Sequence, residues 1–323
     1  MPAPTAPTVS FCFVIELEAV SKTYGETVPA LRDVSFSVPT GSVCALLGHN
    51  GAGKTTAVKI LSTLVRPTSG RAVVAGYDVV ESPAEVRQSI GVTGQEAAVD
   101  PLLSGRENLV LFSRLRGMRR GRARSRADEL IEQFDLAHAA DRPVYTYSGG
   151  MRRRVDIAAA LVVSPKVLFL DEPTTGLDPR SRREVWSLVS AMAAQDVTVL
   201  LTTQYLEEAD VLSDSIIILD SGRVVASGTA EDLKRRAGSS YCEVTLVNPA
   251  DVSRVADALR DLGEVETDFD LNTVAVPAAD GPATLAEVLR RIDRLGAELI
   301  DISLRKPSLD EVFLHITRPS ITA

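Results

Sequence analysis

The chain of 323 residues has little cysteine and few aromatics: three Cys, one Trp and 5% Phe, Trp and Tyr together. Cys12, Cys44 and Cys242 are far apart and odd in number. That excludes a disulfide framework, shows no metal-ligand spacing, and makes a reducing cytoplasm the simplest setting. Cys44 lies within an apolar run and reads as a small core residue. No run of about 18 or more apolar residues occurs, so no segment is expected to cross a membrane as a helix. The apolar stretch at 11–15 is too short for the core of a secretion signal, and no basic residue precedes it. An excess of positive charge is also lacking: 35 Lys and Arg face 43 Asp and Glu, a net of -8. This argues against a broad nucleic-acid-binding face, though not against a local basic patch. What is present is 45% hydrophobic and 24% charged residues, the balance of a globular protein with a real core. The length suits one large domain or two medium ones.

Residues 1–13 read as a flexible tail, with three prolines in the first ten positions and little to bury. From 14 to 237, apolar runs alternate with helical patterns. The runs at 43–47, 167–170, 197–201 and 216–219 lack polar alternation, as expected of parallel strands covered on both faces. An α/β core with a mainly parallel sheet follows. Residues 98–165 carry helical pattern and little strand, so they are expected to form a helical insertion. A linker is expected at 237–240, then an accessory domain over 240–317 in the order β-α-β-β-α-β. That order fits a small ferredoxin-like fold. A last helix is expected from Ser308, with Glu311 three residues on completing a capping box. No internal repeat is visible. The acidity is uneven: residues 1–239 carry 27 basic and 28 acidic residues, whereas 240–323 carry 8 and 15.

The segment G-H-N-G-A-G-K-T at 48–55 matches G-x-x-x-x-G-K-[ST] at every fixed position. It follows the buried run at 43–47 and precedes a helical pattern over 56–64. Gly48, His49, Asn50, Gly51, Ala52, Gly53 and Thr56 form or border this loop, whose backbone N–H groups are expected to cradle a nucleotide phosphate at a helix N-terminus. Lys54 is expected to reach the β- and γ-phosphates, and Thr55 to offer its hydroxyl to Mg²⁺. Asp171 ends the run at 167–170, where a carboxylate can hold Mg²⁺. Glu172 follows it directly. Adjacent carboxylates at a strand end are costly without a cation or substrate, so Glu172 is read as the general base for an attacking water.

A second anion cradle, Ser148, Gly149 and Gly150, stands before an apolar helical pattern in T-Y-S-G-G-M at 146–151. Two cradles in one chain suggest a head-to-tail pair, each closing over the other's nucleotide. This segment resembles the signature of the ATP-binding cassette (ABC) family, usually L-S-G-G-Q, with Tyr147 and Met151 substituted and Ser-Gly-Gly intact. The resemblance covers about 14–235. It implies a RecA-like core with an antiparallel β subdomain and a helical subdomain. It also implies ATP and Mg²⁺ as ligands, Gln95 as the Q-loop residue sensing Mg²⁺ and water, and Asp178 in G-L-D-P as a contact to the opposite subunit. Tyr24 in K-T-Y-G becomes the platform for adenine, since a flat π-face stacks on a base.

The family's switch histidine is expected after the strand at 197–203, where this chain has Gln204. A glutamine can donate a hydrogen bond to a γ-phosphate but cannot carry a proton. Either the site is degenerate or Gln204 is a neutral sensor; the intact Lys54, Thr55, Asp171 and Glu172 favour the sensor. His49 occupies a loop position often held by proline and is assigned no catalytic role; His138 and His315 read as surface or helix residues. The segments at 145–157, 174–182, 202–210 and 307–313 resemble the daunorubicin-resistance group of ABC exporter ATPases. That resemblance implies a peripheral ATPase subunit at the cytoplasmic face of the membrane, acting as a homodimer with a separate permease to export hydrophobic drugs or complex lipids. A non-transport ABC ATPase and an ATP-gated regulator stand as alternatives. Seven arginines between Arg114 and Arg126 read either as a solvated face or as a surface for anionic lipid headgroups. The accessory domain reads as a structural cap or a regulatory element.

Overall fold

A computed structural model describes residues 13–25, 28–95, 97–237 and 240–317. The tail expected over 1–13 therefore lies outside the described residues up to 12, as do Cys12 and part of the 237–240 linker. The chain divides into two compact units between Ala230 and Glu231. That division falls after the first residue of the helix at 230–237, whereas the sequence pattern put the change of character near 238.

The first unit begins with β1 (Phe13–Tyr24) and β2 (Val28–Pro39), then β3 (Val43–Leu47) and α1 (Lys54–Leu61). Next come β4 (Ser69–Val74), β5 (Tyr77–Asp78), α2 (Pro83–Ser89) and β6 (Ile90–Thr93). The helical region is α3 (Gly105–Leu115), α4 (Arg120–Gln133) and α5 (Gly149–Ala160). The core then resumes with β7 (Val167–Asp171), α6 (Pro179–Ala193), β8 (Thr198–Thr203) and α7 (Leu206–Leu212). It ends with β9 (Ser215–Asp220) and β10 (Arg223–Gly228).

The central sheet runs β10-β9-β3-β8-β7-β6, parallel except for β10 at one edge. Every residue of β3, β7 and β8 is buried. Helices α1, α6 and α7 pack against these strands, which explains their largely apolar character. The thiol of Cys44, fully enclosed in β3, is pushed up to about 12 by burial and is chemically inert. A second, antiparallel sheet, β2-β1-β4-β5, packs beside it through a core that includes Ile15, Leu17, Val34, Leu46, Ile60 and Phe169. The helix after the phosphate loop starts at Lys54 and ends at Leu61, not over 56–64. Gly53 at φ 110° launches it early, and the chain turns away at Thr63 with φ 64°.

The second unit contains most of α8 (Ala230–Ala237), followed by β11 (Tyr241–Leu246), α9 (Asp251–Leu259), β12 (Glu266–Asp268) and β13 (Thr273–Pro277). It closes with α10 (Pro282–Leu295), β14 (Leu299–Arg305) and α11 (Leu309–Thr317). Its strands lie antiparallel in the order β12-β13-β11-β14, the ferredoxin-like arrangement. Strict alternation in β11 sends Cys242, Val244 and Leu246 inward against Val255, Leu259, Val288 and Ile292. The capping box at α11 forms as its sequence requires: Glu311 N–H donates to Ser308 Oγ at 3.2 Å, and Ser308 N–H to Glu311 Oε2 at 3.0 Å.

Candidate nucleotide site

The phosphate loop leaves the C-terminal end of β3 and folds back over it. Lys54 is only 4% exposed, and its Nζ donates to the carbonyls of Gly48 at 2.7 Å and His49 at 3.1 Å. Gly53 must be glycine twice over. Its φ of +110° strains any side chain, and a Cβ would sit 2.6 Å from the Ala30 carbonyl. Burial lowers Lys54 from the usual lysine value, with the nearby Glu172 and Asp171 carboxylates acting the other way.

Parallel pairing brings β7 and β8 to the same end of the sheet, Asp171 opposite Thr202. Thr202 Oγ1 donates to Asp171 Oδ1 at 2.5 Å, and Thr55 Oγ1 donates to the same oxygen at 3.3 Å. Glu172 then adopts φ 47°, a left-handed conformation that costs a β-substituted residue on the order of 1–3 kcal/mol. Its N–H is held by the Thr202 hydroxyl at 3.0 Å and the Thr202 carbonyl at 3.2 Å. The turn aims the Glu172 carboxylate at Lys54, with Oε1 3.7 Å from Nζ. Asn50, Gly51, Gly53, Lys54, Thr55, Thr56, Gln95 and Glu172, with Ala30, line one cleft of about 510 Å³. Gly48 and Asp171 lie directly behind that lining through their bonds to Lys54 and Thr55.

The other sequence-predicted residues do not line this cleft. Tyr24 ends β1, with Lys22 Nζ 5.2 Å from its ring centroid. Gln204 is exposed immediately after β8, whose last residue Thr203 accepts from the Gly48 N–H at 3.4 Å. Ala52 is buried in the loop, and its carbonyl accepts from Gly222 N–H at 3.0 Å. His49 bonds Asp220 and Asn50. Ser148 caps α5, its Oγ accepting from Met151 N–H at 3.2 Å. Gly149 borders an adjoining hollow of about 700 Å³, which shares Gln95 and Glu172 with the cleft and extends to the turn at 173–177. Gly150 presses on α6, where a Cβ would lie 2.5 Å from Ser181 Oγ. Asp178 caps α6 by accepting from the N–H groups of Arg180 and Ser181, each at 3.0 Å, and these bonds hold its carboxyl below the usual range.

Sequence reasoning gave no role to Arg153, Asp156, Thr202 or Glu208. Buried Arg153 donates to the carbonyls of Gly94 at 2.9 Å, Pro173 at 3.0 Å and Asp171 at 3.1 Å, and to Asp156 Oδ2 at 3.2 Å. Asp156 Oδ1 in turn accepts from Ala98 N–H at 2.8 Å. The pair thus grips the chain on both sides of Gln95 and ties it to the carboxylate strand. Fully buried Glu208 joins Thr174 at 2.8 Å and Trp186 at 3.0 Å, fixing α7 behind Gln204. The visible signals were the R-R-R at 152–154 leading into an apolar helical pattern and the hydroxyl residues closing an otherwise apolar β8.

A phosphate loop on a parallel sheet, an acid pair at the adjoining strand end and a helix-capping Ser-Gly-Gly define an ABC-type ATP-binding cassette. Comparison with known proteins agrees. The ABC transporter family model matches 31–175, and the model of the ATP-binding protein DrrA1-3-like C-terminal domain matches 228–317. The doxorubicin resistance ATP-binding protein DrrA of Mycobacterium tuberculosis (strain CDC 1551 / Oshkosh) is 55% identical over 94% of this chain and 93% of its own. The daunorubicin/doxorubicin resistance ATP-binding protein DrrA of Streptomyces peucetius is 48% identical over 94% and 92%. Among solved structures, the dimeric post-hydrolysis state of the ATP-binding cassette MJ0796 bound to ADP and Pi superposes with TM-score 0.61. It is 28% identical and covers 67% of this chain and 98% of its own. The chain belongs to the family of DrrA-type drug-resistance ATP-binding proteins of ABC transporters, and it is an ATPase of that class.

Proposed function

We propose that this chain powers a drug exporter as a homodimer bound to a separate membrane permease on the cytoplasmic face of the membrane. The observation that carries the reading is the Lys54–Glu172 pair at 3.7 Å in the cleft that Thr55 lines, with Asp171 behind it in contact with Thr55. Lys54 and the loop N–H groups bind the phosphates, and Glu172 accepts the proton of the attacking water. Thr55 and Asp171 present hard oxygens of the kind Mg²⁺ takes, with Gln95 beside them; Mg²⁺, when bound, would offset phosphate charge. Tyr24 stacks on the adenine. Gln204, a neutral donor after β8, senses the γ-phosphate.

Dimer formation is supported by Ser148, Gly149 and Gly150 lying outside the cleft that holds Lys54, so a second copy supplies the opposing cradle. Asp178, at the start of α6, meets that copy. Anthracycline-like cargo is supported by the drug-resistance names of the relatives. A peripheral position on the permease is supported by the absence, among the described residues, of a helix long and apolar enough to cross a membrane. The side chains of Arg119, Arg120, Arg122 and Arg124 are exposed, have no hydrogen-bond or ion-pair partner among the described residues, and form the anionic-lipid-facing strip. By contrast, Arg116 and Arg126 turn inward to carbonyls at Ile90 and Leu161. Residues 14–237 act as the ATPase domain and 240–317 as an accessory domain that regulates it.

Replacing Glu172 with glutamine removes the proton acceptor while keeping the side-chain shape. Turnover is lost and nucleotide binding remains; steady hydrolysis by the purified variant refutes the general-base role. Co-purification with a polytopic membrane protein distinguishes a transporter subunit from a non-transport ATPase. The exposed amide of Gln204 favours one second reading, an ATP-gated regulator, tested by comparing turnover with and without the permease.

A further inference from the structure

The backbone is held on both sides of Glu172 by one side chain. The carbonyl before it, of Asp171, accepts from Arg153 Nη2 at 3.1 Å, and the carbonyl after it, of Pro173, accepts from Arg153 Nε at 3.0 Å. Glu172 itself is bonded at N–H by Thr202 and at its carbonyl by Thr175 N–H at 3.4 Å. Its carboxylate has lighter contacts, Oε1 3.7 Å from Lys54 Nζ and Oε2 accepting from Thr175 Oγ1 at 3.3 Å. A left-handed glutamate persists where its surroundings over-determine it, and Arg153 supplies two of the bonds that do so here.

The remaining nitrogen of the same guanidinium serves the Gln95 segment. Arg153 Nη1 donates to the Gly94 carbonyl at 2.9 Å, one peptide before Gln95, and to Asp156 Oδ2 at 3.2 Å. Asp156 Oδ1 accepts from Ala98 N–H at 2.8 Å. Gln95 and Glu172 both line the nucleotide cleft, and Arg153 joins them in lining the adjoining hollow. Three carbonyls from two segments therefore converge on one planar fork. Helix α5 gives that fork a fixed base: Ser148 caps it, Gly150 abuts Ser181, and Arg154 Nη1 donates to the Phe134 carbonyl at 3.1 Å. The guanidinium carries five donors in a rigid plane, whereas a lysine ammonium is a point charge on a flexible stem that cannot fix three carbonyls in one geometry.

We infer that Arg153 is a positioning residue: it fixes Glu172 and Gln95 relative to one another at the nucleotide cleft, and so sets the rate of hydrolysis and not the affinity for nucleotide. Affinity belongs to Lys54 and the loop after β3, to which Arg153 makes no hydrogen bond among the described residues. A general base must meet its water within hydrogen-bond reach, and a misplacement of about 1 Å lowers a rate by roughly a hundredfold. The inference rests on the general-base reading of Glu172.

The test pairs steady-state Mg·ATP hydrolysis with calorimetric binding of Mg·ADP by the intact chain, for wild type, Arg153→Lys, Asp156→Asn, Arg154→Lys and Glu172→Gln. Turnover is expressed per calorimetric binding site, so any unfolded fraction drops out. Arg153→Lys is expected to lose about a hundredfold in kcat with Mg·ADP affinity within about threefold of wild type, the pattern of an interaction used in the transition state alone. Asp156→Asn keeps an acceptor for Ala98 N–H but takes the counter-ion from the guanidinium, and is expected to lose about tenfold in kcat. Arg154→Lys is the structural comparison, a buried arginine of the same helix whose carbonyl partners are Phe134 and Asp135; its kcat is expected to stay near wild type. An unchanged kcat per site in Arg153→Lys, a fall in step with affinity, or an equal fall in Arg154→Lys overturns the inference. Where Arg153→Lys fails to fold, an unchanged kcat in Asp156→Asn does the same. Steady hydrolysis by Glu172→Gln beside an active wild type overturns the general-base reading instead, and absence of hydrolysis by the folded wild type overturns both.

Discussion

Replacing Arg153 with leucine should destabilise the first unit by about 4 kcal/mol. Arg153 and Asp156 form an ion pair in which Asp156 is 2% exposed and Arg153 is 8% exposed. Leucine fills part of the space but leaves the Asp156 charge without its cation and three carbonyls, at Gly94, Pro173 and Asp171, without this donor. Breaking one side of a buried pair costs about 3–5 kcal/mol, a large share of a domain's typical 5–15 kcal/mol. The assay is urea unfolding followed by tryptophan fluorescence. Trp186 is the only tryptophan of the chain and is buried in α6, so the signal reports the first unit alone. Asp156→Asn keeps an acceptor for Ala98 N–H and should cost less, about 1–2 kcal/mol.

The pH dependence of that loss has a defined sign. Burial raises the Asp156 carboxyl above its usual value, with Arg153 opposing the shift. The folded state therefore holds the Asp156 proton more tightly than the unfolded state does. Stability linked to this group is complete at low pH and is lost as pH rises through the folded value. Removing Arg153 removes the opposing influence and widens that window upward. The deficit of Arg153→Leu against wild type should thus shrink on acidification from pH 7.5 to 5.5, by at most about 1.4 kcal/mol per pH unit. A cost under about 1 kcal/mol, or a deficit independent of pH, refutes the argument.

Gly150→Ala should place a methyl group against Ser181 and cost about 1–3 kcal/mol, read as a lower urea midpoint of Trp186 fluorescence. Adding Ser181→Gly should restore most of the loss, and failure of that rescue removes the steric explanation. Reversing Arg119, Arg120 and Arg122 to glutamate should reduce sedimentation of the subunit–permease complex with anionic vesicles by roughly tenfold or more, and least at high salt. Unchanged sedimentation favours the solvated-face reading of the strip.

The site's contiguous parts were legible because their chemistry is local. A loop that binds phosphate needs its glycines, lysine and threonine at fixed spacing on one turn, so 48–55 announced itself. The acid pair at 171–172 was marked by an abrupt end to an apolar run. The ferredoxin-like order of the second unit followed from alternation and length. The helix start at Lys54 was less visible, because it depends on the left-handed Gly53, which the apolar pattern of 56–64 does not record. The division between units also fell earlier than composition suggested, since contacts and not character define it.

By itself, the sequence determined the class of chemistry, because the motifs that carry it are short and continuous. Tertiary structure decided which of those motifs share a cleft. Parallel pairing of β7 with β8 set Thr202 against Asp171 across 31 positions. The strained Glu172 turn aimed its carboxylate at Lys54. Arg153 reached Gly94 across 59 positions, and His49 met Asp220 across 171. Contacts of that separation depend on how strands order within a sheet and how helices cover it, which no local spacing encodes.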